Sequence, residues 1–345
     1  MMQRQTLNLI WCLPKGYLWE QEWIRWLFSD FDVTEIYAPD LDAFKDRAVY
    51  VLSSNFHPLG SLPESFLRGV SLRDGKGLFH LSDEWYSGGY EFYGHFDFVL
   101  RNYDSRIFAR PGIKSLPLGL TNGGMNEGSI APSSSRQYLW SFSGTKTAAR
   151  MRMFRAFESL GPNRWFWYNL RTGETPPLDR QAFKALLADT VFSPCPMGNV
   201  VLETFRVYES LEMGAIPLIE QRPWMPYYDR LLPGHPLPSF TSWTAARGFV
   251  EEMAADKAKL DRLQRLVHEW WLATRSELQR SVAAFVEEEM QARHGRNLAE
   301  GWHRGTGAWH QVWRTSELVR HGNAASLLER AGMFARRAGR AVRAH

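Results

Sequence analysis

The chain has 345 residues, 44% of them hydrophobic, which is too many for one average core and predicts about two α/β domains. Its 41 basic residues are nearly balanced by 37 acidic ones, so the net charge of +4 demands no nucleic-acid partner. Cys12 and Cys195 stand far apart without metal-ligand spacing around either, which argues against a disulfide framework and a zinc site and fits a reducing cytoplasm.

The amino-terminal apolar run is too short for a signal peptide or a membrane span, and no later run approaches about 18 apolar residues, so the chain reads as soluble or peripheral. A strand at 7–12 leads through a Pro/Gly loop into the helical pattern WEQEWIRWLF, where Trp19, Trp23 and Trp26 at near-helical spacing read as core. Strands follow at 33–37 and 48–53, with a short acidic helix or turn near 40–45. Strands at 77–81 (GLFHL) and 97–101 (DFVLR) end in the polar residues Ser82, Asp83, Glu84 and Asn102, Tyr103. Open α/β sheets bind ligands at such strand ends. A strand at 113–117 closes this half.

The segment TNGGMNEGSIAPSSSRQ, 121–137, is too rich in Gly, Ser and Asn to be an element and reads as a flexible linker. The alternation restarts with a strand at 138–143, a helix at 147–160, a strand at 164–167 and a helix at 179–188. The expected domains are therefore 1–120, then 138–295 with long terminal helices, then a basic helical extension over 296–345. Within 323–345, Leu327, Ala331, Phe334, Ala338 and Val342 form one helical face, while Arg330, Arg337, Arg340 and Arg343 fill the rest. Such a helix suits peripheral contact with an anionic membrane and suits packing on its own domain equally well.

The densest local signals lie between 190 and 219. A strand at 190–193 runs into the loop Pro194, Cys195, Pro196, Met197, Gly198, Asn199, then a helix at 202–213, a glycine stop at Gly214 and a strand at 215–219. Glu203, Arg206 and Glu209, spaced by three, would lie along one side of that helix. The chain has no dinucleotide-binding glycine fingerprint, and Gly144 to Thr147 matches only the tail of a P-loop. A strand ending at Ser143, a turn at Gly144 and a helix from Thr147 nevertheless place free N–H groups, Lys146 and Arg150 where a phosphate would be held. Arg206 could reach the same crevice, and Glu209 suits the two hydroxyls of a ribose. The plainer alternative is an exposed Arg206–Glu209 ion pair of small consequence.

The stretch FSPCPMGNVVLETFRVYESLEMGAIPLI resembles the donor-binding motif of exostosin-like glycosyltransferases, through Ser193, Cys195, Pro196, Gly198, Arg206, Tyr208, Glu209, Gly214, Ile216, Pro217 and Ile219. WSFSGTKTAARMRMF is similar to the family's F-x-G segment and basic helix, and FDFVLRNYDSRIF to the strand leading into its interdomain cleft. The resemblance implies an α/β GT-B fold, two Rossmann-like domains facing a central cleft, with a nucleotide sugar, usually a UDP-sugar, held mainly by the second. It also implies inversion at the anomeric carbon without a metal or other cofactor. With the residues read above, the expected donor contacts are Ser143, Gly144, Lys146, Arg150, Ser193, Pro194, Gly198, Asn199, Arg206 and Glu209.

Direct displacement needs one base in the first domain. Asp83 and Glu84 lead, with His80, His57 and Glu20 behind them, while Arg101 and Asn102 are expected to bridge the acceptor to the donor phosphates. The expected acceptor is a glycan or lipid-linked saccharide in polysaccharide biosynthesis on the cytoplasmic side. Two other classes stay open: a phosphosulfate-dependent sulfotransferase with its phosphate loop at 143–146, and a non-catalytic carbohydrate-binding or assembly subunit.

Overall fold

The computed structural model describes residues 4–57, 62–88, 90–126, 128–169, 172–173, 175–292, 298–300 and 307–322, and the basic tail 323–345 lies outside them. The described chain forms two compact α/β units.

Unit 1 is built on six parallel strands: β1 (Thr6–Trp11), β2 (Asp32–Tyr37), β3 (Ala48–Ser53), β4 (Lys76–Leu81), β5 (Phe98–Arg101) and β6 (Ile113–Ser115), in the order β2-β1-β3-β4-β5-β6. Central strand β3 reads AVYVLS and is buried along its whole length, as expected of a parallel strand covered on both faces. Edge strand β2, DVTEIY, carries the polar residues. Helix α1 (Gln21–Leu27) buries Trp23, Ile24 and Leu27, and α2 (Glu64–Ser71), an addition to the expected elements, buries Phe66 and Val70.

Unit 2 has five parallel strands: β7 (Tyr138–Gly144), β8 (Asn163–Trp167), β9 (Thr190–Cys195), β10 (Ile216–Glu220) and β11 (Ser239–Phe240), in the order β11-β10-β9-β7-β8. Helices α3 (Ala148–Phe157), α4 (Arg180–Ala188), α5 (Phe205–Glu212), α6 (Tyr227–Leu231) and α7 (Trp243–Ala254) accompany them. Trp140, Phe142, Met153, Phe157, Phe192, Ile216 and Leu218 form the centre of this unit's core. Thr147 and Asp179 cap α3 and α4 through their side-chain oxygens, so both helices start within a residue of the expected positions.

Three expectations change. The segment 123–137 is an anchored clasp, since Ser133 N–H donates to Gln264 Oε1 (2.7 Å), Ser134 bonds Asp261 through both its N–H and its hydroxyl, and Asn126 N–H donates to Glu212 Oε1 (3.0 Å). Side chains of unit 2 satisfy a backbone that has no ladder of its own. The second change is at the carboxyl end. Helix α8 (Lys257–Gln291) contributes to unit 2 only as far as Trp271, while Leu272–Thr315, which includes the start of α9 (Gly307–His321), belongs to unit 1. Phe285 meets Phe98 edge-on at 5.8 Å and Gln279 Nε2 donates to Ser29 Oγ at 2.6 Å, so an unbroken 138–295 domain is not what forms. The third is Trp19, which is exposed, whereas Trp23 and Trp26 stack at 4.9 Å as core spacing predicts.

Candidate functional site

In unit 2 the connection order reverses between β7 and β9, because β8 lies on one side of β7 and β9 on the other. Ligands of open parallel sheets bind beyond the carboxyl ends of the strands at such a switch point. Ser143 and Gly144 end β7 there, and Ser193, Pro194 and Cys195 end β9. Arg206, in the first turn of α5, reaches this edge. Its Nη2 donates to the Ser143 carbonyl, and its guanidinium lies 4.2 Å over the Phe142 ring. Gly144 is needed for the approach, since a Cβ there would meet Phe142 at 2.8 Å and Arg206 Nη2 at 3.3 Å.

Arg206 is buried, yet its Nε and Nη1 have no hydrogen-bond partner among the described residues. Leaving such donors unmet costs about 1–3 kcal/mol each, so the arrangement is one that an arriving anion would relieve.

The loop that follows β9 is fixed from below. Glu220 accepts from Met197 N–H and from Arg222 Nη1, both at 2.9 Å, and Glu203 accepts from the hydroxyls of Tyr208 (2.5 Å) and Tyr227 (2.6 Å). A Cβ on Gly198 would come within 2.7 Å of the Glu203 carbonyl, so this position is closed to other residues. Burial pushes the Cys195 thiol up to about 12, which leaves it neutral and unreactive at physiological pH.

The other expected donor residues divide. Arg150 is folded back on its own turn, with Nη1 donating to the carbonyl (3.1 Å) and hydroxyl of Thr145, and Lys146 is exposed with Nζ 5.9 Å from the Trp167 ring centre. Asn199 is exposed at the loop tip. Glu209 does not pair with Arg206. Its Oε1 accepts from Arg180 Nη1 of α4 at 2.7 Å, a partner 29 residues away that no local spacing signals. Glu203 precedes α5, so the three-residue spacing to Arg206 and Glu209 is not a stripe on one helix.

In unit 1 one of the leading pair, Asp83, lies in the interior. Asp83 is 1% exposed; its Oδ1 accepts from Ser87 N–H (2.8 Å), and its Oδ2 from Tyr90 OH (2.5 Å) and Arg101 Nη2 (3.2 Å). Arg101 is 0% exposed. It also donates to Tyr93 OH (3.0 Å) and the Asn102 carbonyl (3.1 Å) and sits 3.4 Å over the Phe108 ring. These bonds hold Arg101 away from ligands and give Asp83 the role of a turn cap and counter-ion, because both of its oxygens are engaged. Asn102 is 2% exposed, with its side-chain Oδ1 unpartnered among the described residues. Burial lowers the His80 imidazole to about 3, so it stays neutral between Ser54 Oγ and Tyr93 OH. Glu84 is half-buried. His57 Nε2 bonds the Cys12 carbonyl at 2.9 Å, whereas Glu20, buried in the β1–α1 loop, has its carboxyl raised to about 7 by desolvation.

Residues 123–290 match the family model described as the RXYLT1 C-terminal domain. The matched span contains the stretch FSPCPMGNVVLETFRVYESLEMGAIPLI, and the similarity is to this domain over just under half of the chain. Solved structures of similar fold include an α1,3-fucosyltransferase (12% identity, 85% of this chain and 92% of that one, TM-score 0.50). An α-glucosyltransferase in complex with UDP aligns at 9% identity over 82% of this chain and 99% of that one, with a TM-score of 0.50. The DNA-modifying enzyme β-glucosyltransferase aligns at 10% identity over 84% and 100%, also at 0.50. No curated protein matches the chain. At these identities the structural likeness carries the fold, and the two parallel-sheet units with a helical carboxyl-terminal part are of the GT-B type.

Among the described residues, no helix is long and apolar enough to cross a membrane.

Proposed function

We propose that this exostosin-like protein is an inverting glycosyltransferase that takes its sugar from a UDP donor and passes it to a glycan or lipid-linked saccharide without a bound metal. The observation that carries the reading is Arg206: two buried guanidinium donors without an acceptor among the described residues, on a side chain of the first turn of α5 that bonds the end of β7 at the switch point. A leaving diphosphate develops negative charge as the glycosidic bond breaks, and a preorganised guanidinium in a dry site stabilises that charge without reorganising. The Phe142 ring beneath it and the Ser143 carbonyl beside it keep the group in place before the ligand arrives. UDP is the first nucleotide to test because the α-glucosyltransferase of similar fold holds it.

The test is thermal unfolding with and without UDP, with EDTA present throughout. Wild type should gain several degrees at saturating UDP, as mass action requires of a ligand that binds only the folded state. Arg206→Ala should keep the fold and lose the gain. An equal gain in the variant removes Arg206 from the site, and a larger gain with the phosphosulfate donor than with UDP would favour a sulfotransferase. Inversion is read from the anomeric configuration of the product by NMR.

A further inference from the structure

The β1–α1 loop of unit 1 carries a constellation that donor binding does not use. Unit 1 has its own switch point, between β1 and β3, and this loop leaves the carboxyl end of β1 beside it. Trp19 is 65% exposed and Tyr17 is exposed as well. The Tyr17 ring meets Phe56 edge-on at 5.0 Å, and Phe56 meets His57 at 4.7 Å, so the aromatic rim continues onto the segment after β3. Large rings left in water at a ligand-binding edge present an electron-rich face, to which the C–H groups of a pyranose are complementary.

Next to Trp19 in the chain, Glu20 is 6% exposed. Its carboxyl is raised to about 7 by burial, opposed only by the N–H groups of Glu20 and Trp19. The charged or titratable groups on the elements packed here include Glu35 and Tyr37 of β2, His57 after β3, Arg275 of α8 over Trp26, and Lys15, Tyr17, Glu22 and Arg25 of the loop's own stretch; none of them is among the causes of that shift. The loop is held rigidly for its length. Asn122 donates through Nδ2 to the Leu18 carbonyl (2.8 Å) and through its backbone N–H to the Trp19 carbonyl, and its Oδ1 accepts from Glu22 N–H (3.0 Å). Gln21 Nε2 donates to Tyr37 OH at 2.5 Å.

We propose that Glu20 is the general base that takes the proton of the acceptor hydroxyl, and that Trp19 and Tyr17 form the platform on which a pyranose ring of the acceptor stacks. The proposal rests on the glycosyltransfer reading above. As the acceptor oxygen forms its bond to the anomeric carbon, the bond from that carbon to the diphosphate oxygen breaks and its electron pair leaves with the nucleoside diphosphate. The hydroxyl proton passes to the Glu20 carboxylate and from there to solvent. His57 is tied to the Cys12 carbonyl through Nε2, and burial lowers its pKa, so it serves the rim and not the proton transfer.

The experiment measures UDP release from a panel of UDP-sugars with 4-nitrophenyl pyranosides as acceptors, in wild type, Glu20→Gln, Glu84→Gln and Trp19→Ala. Glu20→Gln should lower kcat by about 100-fold or more, the usual worth of a positioned base, while the UDP-induced thermal shift stays at the wild-type value. Trp19→Ala should raise the acceptor KM about tenfold with kcat nearly unchanged. In wild type kcat/KM should rise with pH through about 7, where Glu20 ionises. Glu20→Gln within about threefold of wild type overturns the proposal, as does a loss of kcat in Glu84→Gln alone. A wild type that shows no UDP shift instead defeats the donor reading, so the two failures are told apart. Should no donor and acceptor pair turn over, stability decides. A carboxyl raised from 4.5 to about 7 by folding contributes stability below pH 4.5 that is lost as pH rises through 7. Glu20→Gln should therefore have the higher Tm above pH 7, with the gap closing below pH 4.5, and parallel Tm curves overturn the proposal.

Discussion

Asp83 shows how a polar residue at a strand end becomes a structural part. Ser82 and Tyr86 on either side of it, and Tyr103 just past Arg101, adopt positive φ values of 62°, 47° and 61°, a region that costs non-glycine residues about 1–2 kcal/mol each. The Asp83–Arg101 pair, with Tyr90 and Tyr93 around it, holds those turns in that shape. Asp83→Asn would leave the Arg101 charge buried and unpaired, a change that typically destabilises by about 3–5 kcal/mol. Urea unfolding should show that loss. Unchanged stability with abolished turnover would return Asp83 to the list of bases.

At the scale of elements, the β9–α5–β10 unit is positioned by contacts that its own pattern does not contain. Gly214 ends α5 at φ +66°, and a Cβ there would meet Ile130 at 2.6 Å and Arg136 at 2.9 Å. Arg136 in turn donates to the carbonyls of Ala131 (3.1 Å), Leu187 (3.2 Å), Thr190 (2.7 Å) and Met213 (3.0 Å), which ties the ends of α4 and α5 to the clasp. Burial lowers the Arg136 pKa to about 10, still well above neutral, so the guanidinium stays charged. Gly214→Ala combines an unfavourable φ with this clash and should cost about 2 kcal/mol or more by the same unfolding measurement. A loss below about 0.5 kcal/mol would mean that the clasp yields easily. The stop itself is legible in the sequence as a glycine after an apolar helix. What it packs against is 78 residues upstream at Arg136, beyond any local pattern.

For the whole molecule, the consequential feature is that unit 1 is discontinuous in sequence. Residues up to Asn122 form its sheet, and Leu272–Thr315 complete it. Within unit 1, Phe285 packs on Phe98, the Lys114 ammonium lies 5.6 Å over the Phe285 ring, and Arg314 Nε donates to the Trp85 carbonyl at 3.0 Å. A fragment ending at Asn122 would expose the apolar surface that these residues cover, and should give no cooperative urea transition by circular dichroism. The same fragment supplied with residues 272–315 as a covalent extension should recover one. Cooperative unfolding of the short fragment would show that the returning segment is dispensable.

The alternation of short apolar strands with capped helices comes from local chemistry, so the eleven strands of the two sheets are nearly all readable from the chain. So is the Pro/Gly loop before Arg206, because proline and glycine restrict or free the backbone wherever they stand. Which carboxylates face water is a different matter. Asp83 just after β4 and Glu20 at the start of α1 look alike as acidic residues of strand–helix connections, yet one is tied to a buried arginine and the other is desolvated without a counter-ion among the described residues. The partners of Glu209 and Glu212, Arg180 and Trp271, likewise come from other helices. Burial and pairing depend on residues far apart in the chain, and only the tertiary structure brings those together.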